Sequence, residues 1–172
     1  MESRWPADGK FIMFLTAIFL MSTEGAAVAE EGRELSRGQT IYVPVYSHIW
    51  YGNRDSRGDP SRLLLASMLS IRNIDPERNI EVRAVRYYDS DGKLLRDDST
   101  AQRTVGPLGS ADVFVEYKDT TGGTGAKFIV VWEADAPVNP PIIESVNTHY
   151  TGTQLTAFVS RGRPIQTGKH DP

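Results

Sequence analysis

The sequence predicts an all-β fold, an immunoglobulin-like β-sandwich of about eight short strands. Short segments of alternating apolar and polar residues recur between turns rich in Gly, Pro and Asp. The run Phe-Ile-Val-Val-Trp at 128–132 is consecutively apolar and bounded by turn signals, which is typical of a strand buried on both sides. No stretch after residue 30 has a helical period. A jelly roll or a barrel is the alternative architecture.

The N-terminal segment 1–29 has the pattern of a secretory signal peptide, which we expect to be helical. An apolar stretch at 11–21 follows a weakly basic start, and Ala-Val-Ala at 27–29 has the small residues of a cleavage site. The apolar stretch is about half of the ~20 residues that a membrane-spanning helix needs. We therefore expect cleavage before Glu30, no membrane span in the mature chain, and a periplasmic or secreted location. The alternative is an uncleaved N-terminal anchor.

Composition limits the classes of function that remain. The net charge of −3 argues against a nucleic-acid-binding protein, which would need a basic face. The chain has no cysteine, which excludes disulfides, thiolate metal sites and a cysteine nucleophile. Export without cysteine favours the bacterial cell envelope. We divide the rest of the chain into a flexible lead-in at 30–39, a sandwich domain at 40–163 and a disordered polar tail at 164–172.

Alternation and turn signals place the strands in order. The first strand, 40–46, contains Pro44, which lacks an N–H and so predicts a sheet edge. A long connection follows at 47–62. Further strands are predicted at 63–73, 80–88, 93–97, 111–117, 126–136, 142–150 and 155–160. A change of side-chain parity within 80–88 predicts a β-bulge near Ala84, and Ala136-Pro137 is expected to end the central strand.

Four segments resemble one family of bacterial exported proteins, catalogued as domain of unknown function 3124. They are Ile-Tyr-Val-Pro-Val-Tyr-Ser-His-Ile at 41–49, Tyr-Tyr-Asp-Ser-Asp-Gly-Lys-Leu at 87–94, Gly-Gly-Thr-Gly-Ala-Lys-Phe-Ile-Val-Val-Trp at 122–132 and Phe-Val-Ser-Arg-Gly-Arg at 158–163. They occur in order across the mature chain. The resemblance implies bacterial export and a single domain, and it carries no activity, ligand or catalytic residue.

The glycine-rich stretch at 119–125 has two interpretations. Gly122, Gly123 and Gly125 could form a backbone N–H cradle for an anion. Their spacing matches neither common phosphate-binding motif, and no helix follows. We therefore interpret them as structural residues of a hairpin turn into the central strand, with at least one at positive φ.

The aromatic connection after the first strand is the predicted binding surface. It contains His48, Trp50, Tyr51, Asn53 and Arg54. Trp, Tyr and Arg often dominate the energy of protein interfaces. The competing interpretation is that Trp50 and Tyr51 close one end of the core.

No residue pattern predicts a cofactor, a metal site or a catalytic centre. The three histidines, His48, His149 and His170, lack metal-ligand spacing, and no Gly-x-Ser-x-Gly elbow is present. The sequence therefore predicts a non-enzymatic binding module of the cell envelope, with another envelope protein as its partner. A small-ligand or glycan-binding protein is the alternative, and a hydrolase with dispersed residues is a third possibility.

Overall fold

The computed structural model describes residues 34–98 and 103–166, and these residues form strands and connections without any helix. The all-β prediction is therefore correct. The strands are β1 (Ser36–Pro44), β2 (His48–Arg54), β3 (Pro60–Leu64), β4 (Ala66–Arg72), β5 (Ile80–Tyr88), β6 (Leu94–Asp97), β7 (Arg103–Val105), β8 (Ser110–Val115), β9 (Lys127–Val138), β10 (Ile142–Tyr150), β11 (Leu155–Arg161) and β12 (Arg163–Ile165). The predicted signal peptide and the end of the tail lie outside the described residues.

Two antiparallel sheets and one separate hairpin make up the fold. The large sheet has the order β12-β1-β9-β5-β6, and β7 also pairs with β5. The small sheet has the order β11-β10-β4-β8. Strands β2 and β3 pair only with each other. Both sheets keep free edges and do not close into a barrel.

The hydrophobic core lies between the two sheets and is centred on β9. Phe128, Val130 and Trp132 are fully buried and share one face of this strand. Leu69 and Ile143 of the small sheet belong to the same buried cluster. This arrangement follows from the period of two in a strand, which sends alternate side chains to opposite faces.

The outer face of β9 is only half-buried, so the prediction of burial on both sides is wrong. Ile129 and Val131 point away from the core. Ion pairs occupy this outer face, such as Arg83 with Glu133 at 3.0 Å and Arg86 with Asp97 at 3.2 Å. Charged side chains are normally exposed to water, so this face of the large sheet can remain uncovered.

The large sheet includes residues at both ends of the described domain that the sequence analysis placed outside the strands. Strand β1 begins at Ser36, inside the predicted lead-in, and β12 extends to Ile165, inside the predicted tail. β1 is not an edge strand, because it lies between β12 and β9. Pro44 is nevertheless tolerated, since β12 pairs only with residues Thr40 to Tyr42 of β1.

Two strand boundaries differ from the prediction for local reasons. The predicted strand 63–73 is interrupted at Leu65, whose N–H donates to the Ser47 carbonyl instead of a sheet partner (2.9 Å). Strand β9 continues through Pro137, because its pairing with β5 ends at Glu133 and the proline therefore needs no donor on that side. The predicted bulge is confirmed: the register shifts between Val82 and Ala84.

The chain crosses between the sheets at Gly162, which joins β11 of the small sheet to β12 of the large one. Its N–H donates to the Ile143 carbonyl at 2.8 Å. A Cβ at this position would lie 2.6 Å from that same oxygen and 2.7 Å from a methyl group of Ile41. Only glycine lets the two backbones approach this closely.

Val130→Asp tests the central position of β9. The side chain of Val130 is fully buried, and an unpaired carboxylate there costs several kcal/mol or must take up a proton. We expect the variant to lose cooperative thermal unfolding, measured by circular dichroism. Val131→Asp is the matched control, since its side chain lies on the half-buried outer face, and it should stay folded. Equal stability of Val130→Asp and the wild type would contradict this placement.

Candidate binding surface

The glycine-rich loop is a crossover and not a hairpin turn, which corrects the prediction. It connects β8 of the small sheet to β9 of the large sheet, and these strands do not pair. Gly123 has a φ of +79°. Its N–H donates to Ser47 Oγ at 2.8 Å, and the N–H of Gly125 donates to Ser90 Oγ at 2.9 Å. These two N–H groups therefore bind the protein itself and are not free to hold an anion.

The glycine-rich loop also makes close contacts with Tyr87 and Lys127. A Cβ on Gly122 would overlap the hydroxyl of Tyr87. Burial, followed by the charge of Asp119, raises the pKa of Tyr87 to about 12. The ammonium of Lys127 donates to the carbonyls of Asp89 (2.5 Å) and Gly125 (3.4 Å). Hydrogen bonds from its own backbone N–H groups and from the Lys127 ammonium therefore hold the loop in place.

The predicted aromatic connection is an antiparallel hairpin formed by β2 and β3. Trp50 lies opposite Arg62, and Tyr51 lies opposite Ser61. The side chains of Trp50 and Tyr51 therefore point to opposite faces of the hairpin. They are 52% and 55% exposed. The interpretation that the two rings close the core does not hold.

His48 is buried at the base of this hairpin and supports its neighbours. It is only 7% exposed. Its ring centroid lies 4.8 Å from that of Trp50 at an interplanar angle of 77°, an edge-to-face contact. Nδ1 lies 3.3 Å from Ser47 Oγ. Burial, and secondly the positive charge of Arg62, lowers the pKa of His48 below 6.5. His48 is thus a support for Trp50, in contrast to the contact residue that the sequence suggested.

The far end of the hairpin is organised by hydrogen bonds to a carboxylate. Asp55 Oδ1 accepts the N–H groups of Arg57 (2.8 Å) and Asp59 (3.0 Å). These backbone bonds, that of Asp59 first, lower the pKa of Asp55. The guanidinium of Arg54 donates to the Gly58 carbonyl at 2.6 Å. Asn53 and Arg54 are exposed, so both are accessible on a turn that is already ordered.

Three further exposed residues lie at the same end of the small sheet and were missed. They are Tyr117 after β8, Tyr150 at the end of β10 and Leu155 at the start of β11. His149 connects them to the hairpin: its Nδ1 donates to the Leu64 carbonyl at 2.7 Å, and its ring centroid is 5.6 Å from that of Tyr117. We call Trp50, Tyr51, Tyr117, Tyr150 and Leu155 the aromatic end. The sequence feature that could have identified Tyr117 and Tyr150 is an aromatic residue at the end of a predicted strand.

Two further spaces in the described chain are a small void between the sheets and an open groove on the large sheet. A void of about 10 Å³ between the sheets, lined partly by Ile71, Val82 and Val113, holds one water at most. The groove has a volume of about 470 Å³, is open to solvent and is lined by residues 37–40 of β1 and 131–134 of β9. Residues 34–98 and 103–166 contain no cluster of three His, Asp or Glu side chains arranged for a metal. They also contain no helix long and apolar enough to cross a bilayer.

The fold and surface define a class: an all-β domain of two antiparallel sheets with an exposed aromatic hairpin. The chain belongs to the family described as "Protein of unknown function (DUF3124)", whose model matches residues 38–165. This confirms the resemblance that the sequence segments indicated. A comparison with curated proteins found no match. Among solved structures, "Crystal Structure of Thermotoga maritima 1070" matches with 12% identity, covering 73% of this chain and 92% of the other, at a TM-score of 0.39.

The lowered pKa of His48 gives a testable pH dependence. Because folding disfavours the charged ring, its contribution to stability is fully present above the unfolded pKa and is lost as the pH falls through the folded pKa. We expect the melting temperature of the wild type to fall more steeply than that of His48→Gln between about pH 7 and pH 5, since an unperturbed histidine titrates near 6.5. NMR titration of the His48 ring checks the cause, and a pKa at or above 6.5 would contradict it.

Proposed function

We propose that this protein is a non-enzymatic binding module of the bacterial cell envelope and that its aromatic end docks another envelope protein. One observation carries the proposal. Trp50 and Tyr51 expose more than half of their surface on a hairpin that, within the described residues, pairs with neither sheet. A two-stranded hairpin is only marginally stable by itself. Keeping two large rings on such an element gains little for folding, which favours a role in recognition.

The chemistry of the surface supports a protein partner. Tyr and Trp bury a large area at a low cost in conformational entropy, and Arg can donate several hydrogen bonds to a partner. Arg62 of β3 lies opposite Trp50 of β2, and Arg54 lies at the end of β2. The ordered turn at 55–59 holds this end of the hairpin before binding, which reduces the entropy lost on association.

The alternatives have less support from the described residues. A small ligand would need an enclosed pocket, whereas the void between the sheets is only about 10 Å³ and the groove of about 470 Å³ beside Gly38 is open to solvent. A glycan could stack on the same exposed rings, and it remains the second candidate for that reason. For a hydrolase, the nearest arrangement is Ser47 beside His48 at 3.3 Å. However, Ser47 Oγ already accepts the N–H of Gly123, and the charge that acts on His48 is that of Arg62.

We also propose that the fold is an immunoglobulin-like sandwich. The antiparallel pairing, the core shared between two sheets and the connections that switch sheets after β8 and at Gly162 support it. An experimental structure tests this assignment through the order of the strands within each sheet. A crystal structure in which β11 and β12 closed the two sheets into a barrel would contradict this assignment.

Export is the basis for placing this function in the envelope. The support comes from the N-terminal sequence 1–29. We expect the mature protein to begin at Glu30, which N-terminal sequencing of the protein from an exported fraction will show. Recovery of the intact chain in the membrane fraction would instead favour the anchored alternative.

The double substitution Trp50→Ala, Tyr51→Ala tests the docking surface. Because both rings are exposed, the melting temperature should stay close to that of the wild type. The partner captured by crosslinking in cells, and identified by mass spectrometry, should be lost. Phe114→Ala is the matched control, since this ring is equally exposed at 56% but lies on the outer face of the small sheet.

Three outcomes decide the matter. Loss of the partner in the double variant, with retention in the control, supports the proposal. A fall of many degrees in melting temperature would show that the rings support the core. Retention of both stability and partner would exclude this surface.

A further inference from the structure

The two edges of the small sheet are protected differently. Along β8, the guanidinium of Arg103 donates to the Asp112 carbonyl at 3.0 Å and so occupies part of that edge. β11 is the opposite edge, and within the described chain no strand pairs with its free side. Natural edge strands are usually interrupted by proline, lysine or a bulge, which prevents pairing with other chains.

Strand β11 contains none of these protective features. Its sequence, Leu-Thr-Ala-Phe-Val-Ser-Arg, has one charged residue, at its end. Its register with β10 runs without a shift from Tyr150–Leu155 to Glu144–Arg161. Alternate residues of this strand therefore present a regular row of backbone donors and acceptors to the outside, while the others bond β10.

An apolar band on the outer face of the small sheet leads to this edge. The registers align Phe114 of β8, Met68 of β4, Val146 of β10 and Val159 of β11 in one row across the four strands. Phe114 and Val159, at the two ends of the row, are 56% and 53% exposed. The same face also carries an ion pair outside this row, Arg72 with Glu144 at 3.6 Å, and the outer face of the large sheet carries the pairs of Arg83 with Glu133 and Arg86 with Asp97.

We propose that β11 is a homodimer seam: it pairs antiparallel with β11 of a second copy around a two-fold axis near Phe158. The two small sheets then form one continuous sheet. Ala157 of each copy faces Val159 of the other, so the apolar band continues across the axis. This surface does not include the hairpin and shares only Leu155 with the aromatic end, and the proposal does not depend on the proposed function.

A second copy fits this edge because the strand is complementary to itself. In an isologous pair the same strand supplies both sides, and backbone pairing needs no further side-chain match. The two Arg161 residues would lie about 20 Å apart, since a strand rises roughly 3.3 Å per residue. Arg161 also lies opposite Glu144 in its own sheet. The antiparallel arrangement therefore brings no like charges together.

The orientation of Phe158 leaves the edge accessible. Its ring packs against Tyr46, with centroids 5.6 Å apart, on the side of the small sheet that faces the core. The outward side chains near the axis are Ala157 and Val159, which are small enough for close approach of two strands. Their packing adds apolar area to the backbone hydrogen bonds.

The first experiment measures the mass of the purified exported protein by light scattering and sedimentation over a wide range of concentration. We expect a concentration-dependent dimer. Val159→Lys places a charge at the seam, and its exposed position lets the monomer stay folded. Phe114→Lys is the matched control, because it lies in the same row, on the same face and with similar exposure, but at the other edge.

The second experiment uses the absence of cysteine from the chain. Ala157→Cys protein and Val159→Cys protein are mixed and oxidised, and mass spectrometry detects the mixed disulfide, because directly opposed residues have Cβ atoms about 5 Å apart. Phe114→Cys should not crosslink with either. Circular dichroism confirms that every variant is folded.

The proposal stands if the wild type dimerises, Val159→Lys is monomeric, Phe114→Lys still dimerises and the mixed disulfide forms. A wild type that stays monomeric at all concentrations overturns it. So does a dimer that Val159→Lys leaves intact. Equal loss of the dimer in Phe114→Lys overturns it too, since the outer face and not the edge would then make the contact.

Discussion

Burial of one face of β9 is the constraint on which the rest of this structure depends. Phe128, Val130 and Trp132 are fully shielded from water, and each buries apolar area worth roughly 25 cal/mol per Å². β1 and β5 satisfy the backbone of β9 on both sides. The small sheet covers the apolar face, and the ion pairs keep the opposite face in contact with water. A single core strand thus determines where both sheets lie.

Buried polar groups fix how the two sheets meet. Asn147 on β10 accepts the N–H of Tyr46 at 3.3 Å and the hydroxyl of Ser67 at 2.8 Å. Ser145 donates to the Pro44 carbonyl at 2.6 Å. These bonds give partners to the backbone where the chain leaves β1 and would otherwise lose hydrogen bonds away from water. The residues that follow leave both sheets and form the hairpin of β2 and β3.

The molecule therefore has two surfaces with different physical properties. The aromatic end offers large exposed rings, with Arg54 and Arg62 beside them on the hairpin, which suits a side-chain-mediated contact. The β11 edge offers regular backbone groups beside an apolar band, which suits strand addition. The two surfaces share one end of the small sheet at Leu155, which starts β11 and lies opposite Tyr150. A dimer through β11 would therefore hold two aromatic ends in a defined geometry relative to each other.

The sequence by itself determined the features that follow from neighbouring residues. Apolar residues between turn signals identified β5 and β10, a consecutive apolar run identified β9, and a change of parity located the bulge between Val82 and Ala84. The quoted segments identified the family. The tertiary structure decided everything that depends on pairing between distant strands. Pro44 lies in an inner strand because β12 pairs with β1, and it is tolerated there because β12 is short. The glycine loop is a crossover because β8 and β9 belong to different sheets. Burial of His48, exposure of Trp50 and the grouping of Tyr117 and Tyr150 with them have the same origin. Local pattern records which side chains share a face, but strand order and sheet edges arise only from long-range hydrogen bonds and packing.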